Sequence, residues 1–276
     1  MVNLKTLKQM DCWKLSTGRL SAAKTGVVIE QELPIYVNGS RLAAASITPT
    51  FEKEFVTGYL FGQGFINSLE EIESIEIEDN IAHVLLSDIG KTLTSTDKTN
   101  YRIVSGGGRS AYFGNAGLRK IKSDFIVRKQ DIYAAMNTLF NSAGLYGETE
   151  GVHAAGLFSS KADPICIVED IGRHNTLDKV VGYALLHKVD CSKTFLVSTG
   201  RMASEMVTKI CRCGIPIIAT KTAVTDKGLE IGKKCNLTII GFVRDKGTKI
   251  NTDMDVRVIE AAGMKIYSGA ARVLCE

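Results

Sequence analysis

The second half of the chain alternates short apolar runs with segments whose apolar residues recur at helical spacing. Each run is short enough for a strand and is followed by a polar turn and an amphipathic segment, so the pattern predicts repeated strand–turn–helix units. Such units build a mainly parallel sheet with helices on both faces, which makes the predicted fold class α/β. The predicted strands cover residues 165–168, 195–197, 215–219 and 237–243.

The first half carries hairpin signals instead. Asn38-Gly39 separates two apolar runs, and Glu78-Asp79-Asn80 separates two more, so each pair of runs predicts a β-hairpin. One helix is predicted over residues 51–65, capped by Thr48 or Thr50 and packed on the sheet through its glycines. A polar leader is expected up to about residue 24. The predicted domains are a small N-terminal α/β domain over residues 1–125 and a second domain over residues 126–276.

Composition limits the function classes. The chain has 276 residues, 45% of them hydrophobic, which is enough for a packed core. Its net charge of +4 is spread without a long basic run, which argues against nucleic-acid binding. Neither an apolar N-terminal segment nor a stretch of about 18 apolar residues occurs, so we expect no membrane insertion and a cytoplasmic location. The seven cysteines are scattered, which favours reduced core thiols, and no metal site is predicted.

The stretch from Glu169 to Lys179 joins one of the apolar runs to an amphipathic segment, so it predicts a strand, a polar turn and a helix. Asn175 is the expected N-cap, and Asp178 favours the positive end of the helix. Open α/β sheets bind ligands where their strands end, so the polar side chains of this turn are candidate ligand contacts. A capped helix with a solvated turn is the alternative.

Three polar turns of this kind follow successive predicted strands, at residues 170–175, 198–201 and 244–247. Each places a basic residue next to a glycine, and two of them precede helix N-termini. Free backbone amides and guanidinium groups are suited to phosphate. The three turns together therefore predict a site for a phosphate-bearing ligand.

A glycine-rich loop at residues 105–110 invites a different phosphate site. The run from Gly106 to Ala111 fits G-x-G-x-x-A. No helix is predicted after it and no Gly-Lys-Ser/Thr accompanies it, so a dinucleotide-binding turn is not favoured.

Three longer motifs resemble those of a known family. They are Glu-Asp-Ile-Gly-Arg-His-Asn-Thr-Leu-Asp-Lys at residues 169–179, Ser-Thr-Gly-Arg-Met-Ala-Ser-Glu-Met-Val at residues 198–207 and Cys-Asn-Leu-Thr-Ile-Ile-Gly-Phe at residues 235–242. Together with shorter stretches in the first half, they resemble the formate dehydrogenase accessory sulfurtransferases, the FdhD family. The resemblance covers most of residues 25–252.

This resemblance implies a cytoplasmic sulfur carrier. Family members receive sulfur from a cysteine desulfurase and pass it to the molybdenum bis(molybdopterin guanine dinucleotide) cofactor, which is then inserted into formate dehydrogenase. The cofactor is thus a bound substrate, and a guanine nucleotide is expected to mimic it. The implied fold is a small N-terminal α/β domain followed by a cytidine-deaminase-like three-layer α/β/α domain, in a homodimer.

The cofactor-contacting loop of the family corresponds to residues 242–247, which include one of the three turns. The other two turns and His153 are expected to complete the pocket. The predicted cofactor-binding residues are His153, Asp170, Arg173, His174, Asn175, Ser198, Thr199, Arg201, Phe242, Val243, Arg244, Asp245, Lys246 and Gly247.

The chain departs from the family in the loop at residues 105–110. Family members carry a Cys-x-x-Cys or a lone cysteine there, and this chain has Gly107 and Ser110 at those positions. Sulfur relay needs a thiolate that attacks the donor and then holds a persulfide. Neither residue supplies a thiol, so no catalytic residue is assigned.

The sequence lacks the residues that zinc deaminases need. Zinc deaminases need a His-x-Glu motif, and His153 is followed by Ala154-Ala155, without the glutamate. Cys211 and Cys213 lie two apart on a predicted helix, so they point to different faces and would chelate poorly.

Three hypotheses about function therefore stand. The chain is a sulfurtransferase that uses another thiol, for which Cys211 and Cys213 are candidates. Alternatively, it is a cofactor-binding chaperone that transfers no sulfur. The third hypothesis is an unrelated small-molecule enzyme with His153 and His174 as acid–base groups.

Overall fold

The computed structural model describes residues 6–87, 101–103, 109–111, 118–244 and 263–275. Their helices and strands form a mixed α/β structure, which confirms the predicted class. The three-layer, cytidine-deaminase-like arrangement stays a prediction.

The chain divides into two compact units that interleave along the sequence. The predicted division after residue 125 stays a prediction, because compactness alone does not define an independently folding domain. Unit 1 comprises Met1–Tyr112, Phe140–Ala154 and Val168–His187, and unit 2 comprises Phe113–Leu139, Ala155–Ile167 and Lys188–Glu276.

Unit 1 begins with a long hairpin. Strands β1 (Leu7–Ser16) and β2 (Arg19–Val28) pair antiparallel across Thr17 and Gly18, whose φ angles are 48° and 79°. The expected polar leader is therefore wrong. Both faces of this hairpin are largely exposed, so its sequence lacks the apolar alternation that marks a strand buried on one face.

A four-stranded sheet follows, in the order β4-β3-β6-β5. Both predicted hairpins are confirmed, and their turn residues have the positive φ angles that tight hairpins require, 48° and 77° at Asn38 and Gly39, and 47° and 61° at Asp79 and Asn80. The strands are β3 (Gln31–Val37), β4 (Ser40–Ile47), β5 (Ile72–Glu78) and β6 (Ile81–Leu86), and the short strands β7 (Tyr101–Ile103) and β8 (Arg109–Ala111) pair with each other.

The helices of unit 1 start at other residues than expected. Helix α1 is capped by Phe51 and helix α4 by Gly172, so the predicted caps Thr48, Thr50 and Asn175 are wrong. The glycines of α1 were expected to pack on the sheet, and Gly58 instead faces the backbone of α4. The helices of this unit are α1 (Glu52–Gln63), α3 (Gly144–Thr149) and α4 (Arg173–Leu186).

Unit 2 contains most of a six-stranded sheet in the order β11-β10-β12-β13-β14-β15, of which residues 153–154 and 168–170 belong to unit 1. The pairs β12–β13 and β13–β14 are parallel, whereas β10–β12 and β14–β15 are antiparallel, so the predicted mainly parallel sheet is wrong and the sheet is mixed. The strands are β10 (His153–Phe158), β11 (Pro164–Asp170), β12 (Phe195–Ser198), β13 (Ile217–Thr220), β14 (Thr238–Arg244) and β15 (Gly263–Ser268).

The parallel centre of this sheet is its most buried part. Every residue of β12 and β13 is buried, as expected for strands covered on both faces. Helix α5 ends at Gly214 with φ 78°, and α6 is capped by Thr225, whose side chain accepts a hydrogen bond from the Gly228 amide. The remaining elements are α2 (Lys129–Ser142), α5 (Ser204–Cys213), α6 (Asp226–Lys234) and the paired strands β9 (Val127–Arg128) and β16 (Val273–Leu274).

In the part of the chain that the structure describes, no helix is both long and apolar enough to cross a membrane.

Candidate functional site

Three parallel strands of unit 2 end at the same edge of its sheet. Because β12, β13 and β14 run in one direction, the residues that follow them lie side by side, where open α/β sheets bind ligands. We call this region the carboxyl edge. Its residues are Ser198, Thr199, Gly200, Arg201, Thr220, Lys221, Thr222, Phe242 and Arg244.

Buried hydroxyl groups fix the backbone of the carboxyl edge. The Ser198 Oγ accepts a hydrogen bond from the Gly200 amide at 3.0 Å, and the Thr220 Oγ1 donates to the Gly200 carbonyl at 2.7 Å. The Thr222 amide donates to the Thr220 Oγ1 at 3.2 Å. Ser198 and Thr220 are fully buried, so buried hydrogen bonds stabilise the conformation of the turn after β12.

Phe242 has an unusual backbone at this edge. Its φ of 54° lies in the left-handed region, which is an outlier for a bulky side chain. The pairing of β14 with β15 is irregular between Gly241 and Arg244, and the Phe242 amide donates to the Thr222 carbonyl at 2.9 Å. Bulges of this kind re-aim side chains and cluster at functional sites, as backbone strain does.

Two cations stand over the Phe242 ring. The Arg244 Cζ is 5.8 Å from the ring centroid and the Lys265 Nζ is 4.9 Å from it, both within the range of cation–π attraction. Within the described residues, the buried Nε of Arg244 has no hydrogen-bond partner. A guanidinium group can donate charge-assisted hydrogen bonds to an anion.

A second cluster lies in unit 1, where β11 ends and α4 begins. The Asp170 Oδ2 accepts from the Thr48 amide at 3.0 Å, and its Oδ1 accepts from the Gly172 amide at 2.8 Å and the Asn175 Nδ2 at 2.7 Å. The Lys179 Nζ lies 2.6 Å from the Asp170 Oδ2. We call these five residues the Asp170 network. Their polar groups satisfy one another, which favours a structural role for Asp170 and Asn175.

His153, at the start of β10, lies in the same unit. Burial lowers its pKa first, the positive charge of Arg173 lowers it further, and Asp170 opposes both. The imidazole is therefore neutral at neutral pH, and a neutral imidazole can accept as well as donate a hydrogen bond.

We expect the lowered pKa of His153 to make stability depend on pH. In the unfolded chain the pKa returns to about 6.5, so between that value and the folded pKa the unfolded state binds more protons. The contribution of His153 to stability is therefore fully present above about pH 6.5 and is lost progressively as the pH falls from there through the folded pKa. NMR titration of the His153 ring should give a pKa below 6.5, and unfolding at pH 7.5 and 5.5 should show a smaller acid loss in His153→Gln than in the parent. A ring pKa at or above 6.5 would contradict this.

The structure brings together part of the predicted pocket. The turns after β12 and β14 share the carboxyl edge, where Thr199 and Val243 are buried and Arg201 is exposed. The third turn belongs to unit 1, so the joining of all three turns in one pocket stays a prediction. Asp245, Lys246, Gly247 and Gly107 lie outside the described residues.

Sequence reasoning missed other residues of the carboxyl edge. Thr220 and Thr222 follow the predicted strand 215–219, so the rule that selected the other turns would have found them. Lys265 comes from β15, whose antiparallel pairing with β14 has no local signal in the sequence.

The two cysteines proposed as alternative sulfur acceptors each have a thiol partner in unit 2. Contact with Cys235, together with burial, raises the pKa of the Cys211 thiol, and contact with Cys191 does the same for Cys213. The partners shift the other way: the contact with Cys211 lowers the pKa of Cys235 to about 7, and the contact with Cys213 lowers that of Cys191. The thiols nearest to thiolate character are therefore Cys191 and Cys235.

These features define an α/β protein in which parallel strands end at a basic, hydroxyl-lined edge. The model of the FdhD/NarQ family matches residues 28–273. The chain therefore belongs to the FdhD/NarQ family, which confirms the resemblance found in its motifs.

Several curated relatives agree over nearly their whole length. The chain is 34% identical to the sulfur carrier protein FdhD of Methanothermobacter thermautotrophicus, over 87% of this chain and 94% of that protein. It is 32% identical to the sulfur carrier protein FdhD of Sulfolobus acidocaldarius, over 89% and 96% respectively. A crystal structure described as that of a formate dehydrogenase accessory protein from Desulfotalea psychrophila matches with a TM-score of 0.77 and 24% identity, over 98% of this chain and 100% of that one. The shared fold is α/β.

Proposed function

We propose that this chain is a formate dehydrogenase accessory protein of the sulfur-carrier type. It binds the molybdenum bis(molybdopterin guanine dinucleotide) cofactor as a substrate, receives sulfur from a cysteine desulfurase, and passes that sulfur to the cofactor before its insertion into formate dehydrogenase. It acts in the cytoplasm as a homodimer.

The observation that carries this proposal is Arg244 beside the strained Phe242. A guanine dinucleotide offers phosphates for the guanidinium group and a base for an aromatic face. The Arg244 Nε without a partner among the described residues, and Lys265 over the same ring, supply positive charge where β14 ends. The fixed turn after β12 lies at the same edge of the sheet.

The sulfur step needs a thiol that the usual loop does not supply, since Gly107 and Ser110 stand there. In the proposed function another cysteine of this chain accepts the sulfur as a persulfide. The same two residues favour a second candidate function, a cofactor-binding chaperone that holds the dinucleotide without carrying sulfur.

Both functions are tested in one experiment on the full chain. The protein is incubated with a cysteine desulfurase and cysteine, and its tryptic cysteine peptides are analysed by mass spectrometry. Binding of guanosine diphosphate is measured by calorimetry. A persulfide on a cysteine peptide together with nucleotide binding supports the sulfur carrier. Nucleotide binding without any persulfide supports the chaperone, and loss of both overturns the two functions together.

We expect Arg244→Ala to weaken the binding of guanosine diphosphate by about 10-fold to 100-fold. The variant removes a charge-assisted hydrogen bond, which contributes about 1.5–3 kcal/mol. The matched control is Lys234→Ala, which removes the same charge from an exposed position on α6 and should change the affinity by less than about twofold because solvent and salt screen it. Equal affinities in the Arg244 variant and the parent would remove the carboxyl edge as the nucleotide site.

A further inference from the structure

Two thiols meet at the edge of unit 2 opposite to the carboxyl edge. The Sγ atoms of Cys191 and Cys213 lie 3.3 Å apart. Cys191 opens the 3-10 turn that precedes β12, and Cys213 is the last residue of α5. The polar turn 198–201 follows β12 and precedes α5, so roughly 15 Å of helix separates it from Cys213. The pair is therefore distinct from the proposed nucleotide site.

The backbone on both sides of this thiol pair is held in place. The Cys191 carbonyl accepts hydrogen bonds from the Thr194 amide at 3.3 Å and the Thr194 Oγ1 at 2.9 Å. Asp190 caps the same turn, accepting from the Ser192 Oγ at 2.6 Å. At the other thiol, α5 ends at Gly214, whose amide donates to the Cys211 carbonyl at 3.1 Å. The two sulfur atoms thus start about 1.3 Å beyond the length of a disulfide bond, on backbone segments with little chain entropy left to lose.

The second pair of neighbouring thiols, Cys211 and Cys235, is placed differently. Cys211 and Cys235 are both buried, whereas Cys191 and Cys213 are partly exposed. Cys191 also has the more acidic thiol of its pair, which makes it the entering nucleophile. Two thiols that lie 3.3 Å apart can react with each other to form a disulfide.

We propose that Cys191 and Cys213 form an intramolecular disulfide by exchange with a low-molecular-weight disulfide such as oxidised glutathione. The Cys191 thiolate attacks one glutathione sulfur, breaks the S–S bond and releases one glutathione thiolate. The Cys213 thiol then loses its proton and attacks the Cys191 sulfur, which releases the second glutathione. Two protein thiols are oxidised to one disulfide, and one glutathione disulfide is reduced to two thiols. Reduced glutathione reverses the reaction.

The disulfide would enclose one of the predicted ligand turns. The two cysteines are 22 residues apart, and the segment between them contains β12, the turn 198–201 and α5. Cross-linking a loop of this length restricts the unfolded chain, so oxidation is expected to raise the Tm by about 5 °C.

Peptide mapping tests the proposal on the full chain. The protein is reduced, freed of reductant, incubated with oxidised glutathione, alkylated and digested with trypsin without reduction. Cleavage after Lys188, Lys193, Arg212 and Lys221 places Cys191 in peptide 189–193 and Cys213 in peptide 213–221, apart from Cys211. The expected product is one cross-linked species of these two peptides, which dithiothreitol separates. Any of three results would overturn the proposal. They are alkylation of both peptides, a glutathione adduct on Cys191 beside an alkylated Cys213, and a link from Cys213 to any other cysteine.

Cysteine variants provide a second test, in which the modified peptides and the Tm are measured. Cys213→Ser should stop at the glutathione adduct on Cys191, and Cys191→Ser should leave Cys213 alkylated. Both should lose the rise in Tm on oxidation, whereas the control Cys235→Ser should keep the cross-linked species. A rise in Tm that survives in Cys191→Ser would also overturn the assignment. Neither readout depends on sulfur transfer or on nucleotide binding.

Discussion

Replacing Gly58 by alanine should lower the free energy of unfolding by about 3 kcal/mol, because the added methyl group would enter the backbone of a neighbouring helix. A Cβ at Gly58 would overlap the Asp178 carbonyl oxygen and lie 2.8 Å from the Gly182 amide nitrogen. A Cβ at Gly182 would overlap the Glu54 carbonyl oxygen in the same way. Helices α1 and α4 therefore cross with their backbones in contact at two facing glycines.

A backbone cannot move aside as a side chain can, so the two helices would have to separate along their whole contact. Alanine favours a helix over glycine by about 1 kcal/mol, which offsets only part of this loss. Gly147→Ala is the control, because Gly147 is also helical and a Cβ there would meet nothing within 4 Å. We expect that variant to be neutral or slightly more stable.

Urea unfolding followed by circular dichroism measures the three single variants, at Gly58, Gly182 and Gly147, and the double variant at Gly58 and Gly182. Gly58→Ala and Gly182→Ala should each lower the midpoint strongly, and the double variant should lose less than the sum because both act on one contact. Stability of Gly58→Ala equal to that of Gly147→Ala would show that α1 and α4 do not cross at this distance.

The sequence predicts the local elements of this fold better than their arrangement. Asn-Gly and Asp-Asn turns carry their own conformational preference, so both hairpins could be located from the residues alone. The direction of a strand relative to its neighbours depends on partners that are distant in the sequence. The residues of β10 and β15 themselves carry no pattern that indicates antiparallel pairing. The β1–β2 hairpin was missed because exposure on both faces removes the alternation that reveals a strand.

The candidate site shows the same limit. The turns after β12 and β14 could be predicted, since polar residues after an apolar run indicate a strand end. The contact of Lys265 with the Phe242 ring and the pairing of Cys191 with Cys213 depend on tertiary packing. Helix capping is another case: Asn175 is a good capping residue, but its side chain donates to Asp170 and to the Ser46 carbonyl instead.

Replacing Lys179 by methionine should lower the free energy of unfolding by about 3–5 kcal/mol, because it leaves the Asp170 carboxylate buried without its counter-ion. Both side chains are fully buried, with 2.6 Å between the Lys179 Nζ and the Asp170 Oδ2. The Nζ also donates to the Thr48 carbonyl at 2.9 Å. Burial lowers the pKa of Lys179, and the charge and hydrogen bond of Asp170 oppose that shift, so the pair is held together by its mutual attraction.

Lys234→Met is the matched control, because Lys234 and Glu230 are also 2.6 Å apart but 68% and 64% exposed. Exposed ion pairs contribute little to stability because solvent and salt screen them, so the same chemical change should hardly alter the free energy of unfolding there. Adding Asp170→Asn to Lys179→Met should recover part of the loss, since the double variant no longer buries an unpaired charge. A loss below about 1 kcal/mol in Lys179→Met would contradict the structural role of the Asp170 network.

The Lys179 variant also separates two roles within one motif. Asn175 and Lys179 each contact Asp170, so replacing any of these three residues should change the free energy of unfolding. Arg173 and His174 lie in the same motif, are not among the five residues of the Asp170 network, and remain predicted ligand contacts. We therefore expect Arg173→Ala to weaken the binding of guanosine diphosphate and to lower the free energy of unfolding by less than Lys179→Met does. A loss of stability in Arg173→Ala as large as in Lys179→Met, with unchanged nucleotide affinity, would make the whole motif structural.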